Sequence, residues 1–94
     1  MRVTVLLPGV LRSAAGGAAR LDVDVAEPAT LGTMLDQLAD RYPALDRRLR
    51  DERGVLRRYV NFFLDGEECR RLRGRDSTLA DGMEINVIPS VAGG

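Results

Sequence analysis

The chain has 94 residues, with no histidine, no lysine, no tryptophan and one cysteine. Each absence removes a class of chemistry. Without His, both the usual general base and the commonest metal ligand are missing. Without Lys, no side-chain amine can serve as a nucleophile or form a Schiff base. All fourteen basic residues are Arg. Cys69 alone can neither close an internal disulfide nor build a cysteine-rich metal site, and a lone free thiol suits a reducing cytoplasm. The polar run Glu67-Glu68-Cys69-Arg70-Arg71 places Cys69 in an exposed stretch, as an incidental thiol. No basic flank followed by a long apolar region opens the chain, so no signal peptide is read. No apolar run has the length of a membrane span. A formal net charge of zero argues against a dominant field for nucleic acid or membrane.

What is present is an ordinary soluble balance, 45% apolar and 30% charged residues. This length suits a single domain, 1–94, with one small core. Arg2 to Leu7 is β-rich and bounded by Pro8-Gly9. Residues 13–19 (SAAGGAA) read as a hairpin loop or a poorly ordered one. Arg20 to Val25 alternates strictly, with Leu21, Val23 and Val25 on one face, the mark of a half-buried strand.

Thr30 then reads as the N-cap of a helix from Leu31 to Tyr42. Leu31, Met34, Leu35, Leu38 and Tyr42 make its apolar stripe, a face for covering a sheet. Leu45 and Leu49 add a short helical turn to the same core. Tyr59 to Asp65 is a third strand ending in an Asp65-Gly66 turn. Residues 78–82 make a tight turn into a last strand, Met83 to Ile88, stopped by Pro89, with a flexible tail over 89–94. The order describes a small α+β roll with a mixed sheet of four to five strands on one main helix. The β-grasp is one solution, with the first and last strands side by side in the middle.

Alternation also assigns the open face of the sheet. Arg2, Thr4, Asn61, Glu84 and Asn86 mark it as solvent-facing, and it also carries Leu6, Phe63 and Ile88. With the strands adjacent, those three side chains form an apolar patch beside the root of the tail. Such a patch marks a partner surface, although isolated surface apolars are also ordinary.

The chain finishes Pro89-Ser90-Val91-Ala92-Gly93-Gly94. Glycine has no Cβ, so Gly93 and Gly94 can lie extended in a narrow channel, backbone close to a ligand. On its own a Gly-Gly pair is equally the end of a tail with no role. The whole run from Asp81-Gly82 through a strand, a proline and Gly93-Gly94, together with Tyr59 to Gly66 (YVNFFLDG), resembles the MoaD/ThiS family of ubiquitin-like sulfur carriers. The Val91-Ala92-Gly93-Gly94 ending and Leu11-Arg12 resemble its cysteine-forming, CysO-type members.

The resemblance implies a β-grasp fold and a role as carrier rather than enzyme. It implies that the Gly94 carboxylate is adenylated with ATP by a ubiquitin-activating-like enzyme. Sulfur from a donor then replaces AMP, and the thiocarboxylate gives its sulfur to a biosynthetic enzyme of the cysteine synthase kind. The carrier itself binds no cofactor and no metal, acts in the cytoplasm, and is a monomer when free. Partner contacts fall on Leu6, Phe63, Ile88, Pro89, Val91 and Ala92, with Gly93 threading ahead of Gly94. Two other readings begin from the same terminal chemistry: a ubiquitin-like modifier conjugated through Gly94, and a molybdopterin synthase small subunit. Eleven of the arginines lie between Arg41 and Arg75, diluted by Asp46, Asp51, Glu52 and Asp76. With no recognition motif or interleaved aromatics they read as a solvated face that steers toward an acidic partner, not as a nucleic-acid site.

Overall fold

Alternating apolar residues build four of the strands, β1 (Arg2–Leu6), β2 (Arg20–Asp24), β3 (Val60–Leu64) and β5 (Glu84–Pro89), while β4 (Glu67–Glu68) is a two-glutamate strand that returns from the turn after β3. The structure, a computed structural model, describes residues 1–90. The strands form one mixed sheet in the order β2-β1-β5-β3-β4. β1 and β5 run parallel side by side in the middle, and the other pairings are antiparallel. This is the β-grasp expected from the sequence, with five strands.

One face of the sheet is closed by helix. Val3, Val5, Leu21, Val23, Val60, Phe62, Leu64, Ile85 and Val87 point toward α2 (Leu31–Arg41) and α3 (Pro43–Leu49), and all are buried. α2 begins where Thr30 accepts from the Thr33 N–H at 3.2 Å while the Thr33 hydroxyl accepts from the Thr30 N–H at 2.8 Å. A reciprocal cap of this kind is worth about 1 kcal/mol. Leu31, Met34, Leu35 and Leu38 are fully buried, each contributing about 1.5–3 kcal/mol of apolar transfer. Tyr42, the expected end of the stripe, is only half-buried at the helix C-cap, under the Arg41 guanidinium. Pro43 then serves as the first residue of α3, where its missing N–H costs nothing, and Leu45 and Leu49 complete the core. Arg50 clamps α3 to α2, its buried guanidinium bonded to Asp46 and Asp36, both at 2.7 Å. Burial alone would lower its pKa; the two carboxylates outweigh burial and raise it.

Three expectations need correction. The small-residue stretch 13–19 is not merely a loop. A helical turn, α1 (Gly9–Arg12), runs into a 3-10 turn at Ser13–Ala15, anchored by buried Leu11 and Ala15. Cys69 is fully buried rather than exposed. The chain turns into a 3-10 segment right after β4, so its charged neighbours face water while the thiol fills the edge of β3, near the Phe62 N–H. Burial, then the Glu68 carboxylate, pushes the thiol pKa up, which keeps it protonated and unreactive. Finally, Pro89 does not begin the tail. It is the last residue of β5, opposite Val60. The next pair bonds through the Ser90 N–H to the Tyr59 carbonyl at 2.6 Å. Pairs alternate in an antiparallel ladder, so Pro89 sits where β3 asks for no donor.

The expected turns hold. Asp65 and Gly66 take φ of 49° and 90°, the left-handed pair of a two-residue hairpin.

Candidate functional site: the open face at the end of β5

The face not covered by helix divides into two halves. Toward the start of β1 it is ionic. Arg2 bonds Asp24 at 2.9 Å, Thr4 donates to Asp22 at 3.0 Å, and Arg20 reaches Asp22 at 3.3 Å. Hydrogen bonding from Arg2 holds the Asp24 carboxyl below its ordinary pKa, and the Thr4 hydroxyl, then Arg20, does the same for Asp22.

Toward the end of β5 the face turns apolar. Register places Leu6 opposite Asn86 in one direction and Phe63 opposite Asn86 in the other. Ile88 stands two residues along β5, on the same side. The three apolar residues read from the sequence therefore do come together, but around Asn86 rather than as an unbroken patch. Ile88 is 47% exposed, whereas Leu6 and Phe63 are half-buried by their neighbours. The row extends across all five strands as Arg20, Leu6, Asn86, Phe63 and Glu68, so charge rims the apolar centre on both sides.

Two grooves flank the end of β5. One, beside β1, is lined by Leu6, Pro8, Arg12, Ala19 and Ile88 among others. The other holds Arg53, Val55, Arg57, Arg58, Tyr59 and Ser90. Asp51, which shares this second groove, has its carboxylate turned to the backbone N–H groups of Val55 and Arg53, which lower its pKa. Arg58 has no acidic partner among the described residues. The second groove is therefore cationic, with Arg53, Arg57 and Arg58 from the central basic run on its wall.

Pro89 ends β5 at this same corner, and Ser90 follows it. Val91, Ala92, Gly93 and Gly94, the remaining residues singled out from the sequence, lie outside the described residues. Among the described residues no cluster of three carboxylate or thiol groups comes together as a metal site, and no helix is long and apolar enough to cross a membrane.

The family model described as the ThiS family matches residues 5–94. The chain belongs to the ThiS family. Among ThiS-like relatives, the sulfur carrier protein CysO of Mycobacterium tuberculosis is 35% identical over 96 residues, covering 100% of both chains. The crystal structure of SAMP1 from Haloferax volcanii superposes with a TM-score of 0.84 at 31% identity, covering 100% of both chains. The BexX/CysO complex of Amycolatopsis orientalis contains a chain matching with a TM-score of 0.83 at 32% identity, over 98% of this chain and 99% of that one. That structure is of a CysO protein in complex with BexX.

Sequence reasoning missed two features of this candidate site in the ThiS-family chain. Asn86, at the centre of the apolar trio, reads from the sequence only as a solvent marker. The hydrogen bonds that hold Ser90 join residues far apart in the chain, and no spacing rule brings them together.

Proposed function

We propose that this chain is a sulfur carrier, a cosubstrate rather than an enzyme, whose working group is the Gly94 carboxylate. The observation that carries the reading is the full-length likeness to CysO. The placement of Leu6, Phe63 and Ile88 at the corner where β5 ends agrees with it, because a partner docked there meets the start of the C-terminal segment. In the reaction proposed, a partner adenylating enzyme of the ubiquitin-activating kind joins the carboxylate to the α-phosphate of ATP and releases pyrophosphate. A sulfur nucleophile then attacks the acyl carbon and AMP leaves, producing the thiocarboxylate. Activation is needed because a free carboxylate is a poor acyl donor. An accepting enzyme, cysteine synthase-like on the strength of the CysO likeness, takes the sulfur.

The chain's own residues supply recognition and not catalysis. It has no His or Lys, and its one thiol is buried with a raised pKa. Orientation and electrostatic stabilisation come from the partner enzymes. The cytoplasm, where ATP is available, is the proposed compartment.

The test is the intact mass of the protein after incubation with an adenylating enzyme, ATP and sulfide, with C-terminal fragmentation to separate sulfur exchange from oxidation of Met or Cys. Sulfur on Gly94 is the expected result. Deleting Gly94 should leave folding unchanged and abolish activation. A Gly94-deleted chain still sulfurated at its C-terminus would sink the reading, and isopeptide adducts in place of a thiocarboxylate would favour a protein modifier.

A further inference from the structure

Arg70 is the most heavily bonded exposed side chain around the end of β5. Its Nη2 donates to the Arg57 carbonyl at 2.9 Å and to the Val60 carbonyl at 3.1 Å, closing the edge of β3 that two-residue β4 leaves open. Its Nη1 donates to Glu68 Oε1 at 3.0 Å and to Asn61 Oδ1 at 2.9 Å. A guanidinium has donors only, so it fixes the Asn61 amide with its oxygen toward Arg70 and its NH2 group outward. That NH2 group donates to Ser90 Oγ at 2.9 Å. Asn61 stands opposite Ile88, which makes Ser90 its diagonal neighbour on the open face.

The end of β5 needs such a hold. β1 pairs with β5 only as far as Asn86, so from Ile88 onward β5 has β3 alone beside it. Pro89 offers no donor. Ser90 is thus held by its own N–H on the Tyr59 carbonyl and by Asn61. Strand ends with few bonds open readily.

We propose that Arg70 and Asn61 are positioning residues: they form a relay that fixes Ser90 and so sets the point and direction from which the C-terminal segment is presented to the adenylating enzyme. This rests on the sulfur-carrier reading. A wandering root would leave the apolar docking trio untouched but would lower the fraction of docked complexes in which the terminus reaches the phosphate. The relay therefore acts on kcat rather than on KM.

Two measurements on the full chain test it. The first is amide hydrogen exchange at Ser90, read by NMR. Asn61→Ala and Arg70→Met should each speed exchange there about tenfold, with the amides of β1 unchanged. The second is ATP-pyrophosphate exchange with an adenylating enzyme. Asn61→Ala and Ser90→Ala should lower kcat about tenfold while KM for the carrier moves less than about twofold. Ser90→Ala touches no core residue, so it remains informative if Arg70→Met fails to fold. Asn61→Asp, whose carboxylate still accepts from Arg70 and can accept from the Ser90 hydroxyl, should restore both readings. Unchanged Ser90 exchange in Asn61→Ala, a loss in Asn61→Asp as large as in Asn61→Ala, or a loss confined to KM would each overturn the relay. Absence of any activation in the wild-type chain would sink the carrier reading instead; normal activation of the wild type with kcat in both alanine variants unchanged from the wild type would sink the relay alone.

Discussion

The covered and open faces of the sheet are written by alternate residues of the same strands, yet they obey different rules. Val5, Phe62 and Ile85 on the covered face have at most 1% exposure and belong to the buried hydrophobic core. Thr4, Asn61, Phe63 and Asn86 on the open face mix polar and apolar, and none is buried. The first face stores the free energy of folding, because nearly every ångström of it is removed from water. The second is released from that duty. Its half around Asp22 and Asp24 is ionic, and its half around Asn86 is apolar, the part to which the proposed function assigns recognition. One strand can thus serve stability and binding at once, with a period of two residues separating the tasks.

That contrast makes quantitative demands. Phe62→Ala, in the centre of β3, should cost about 3–5 kcal/mol, a large share of the stability of any small domain. Urea unfolding followed by far-UV circular dichroism measures it, and a loss below 1 kcal/mol would mean that the covered face is not the store of stability. Its chain neighbour gives the reverse result. Phe63→Glu and Ile88→Glu should shift the unfolding free energy of the domain far less, about 0.5 kcal/mol for exposed Ile88, while raising the KM of a partner enzyme about tenfold. Loss of cooperative unfolding in either would erase the distinction between the faces.

The smallest effect belongs to the ionic half. The Asp24 carboxyl titrates below its ordinary 3.8 because Arg2 bonds its charged form. Its contribution to stability is therefore present above the unfolded value and lost as pH falls through the folded one. Melting temperatures of the wild type and Asp24→Asn should differ at neutral pH and converge as the pH falls below 3.8. A gap that stays constant with pH would show that the Arg2 pairing contributes nothing.

Much of this was legible from local pattern. Strict alternation in Arg20 to Val25 and helical spacing from Leu31 to Leu38 located those elements to within a residue or two, since burial on one face imposes the period directly. The sides taken by Leu6, Phe63 and Ile88 were legible for the same reason. Their mutual arrangement around Asn86 was not, because it depends on which strands are neighbours. Leu11 and Ala15 were missed because the surrounding Ala and Gly residues carry no periodic signal. Cys69 was misjudged because four charged neighbours outweigh one small side chain in any local average, while a single 3-10 turn is enough to bury it. The partners of Arg70 were out of reach for a simpler reason: Asn61 lies 9 residues away and Arg57 lies 13, at separations set by no helix or hairpin rule.

The parallel pairing of β1 and β5 has a mechanical meaning. β1 starts at the N-terminal end of the chain, β5 finishes toward the C-terminal end, and the two lie side by side pointing the same way. A tug on the C-terminal segment, opposed at the N-terminus, slides β5 along β1 instead of peeling it away. The rungs between Thr4–Leu6 and Glu84–Asn86 then share the load in shear and must rupture together. If its partners handle the domain by the C-terminal segment, as the proposed function has it, this geometry keeps the handle from unzipping the fold.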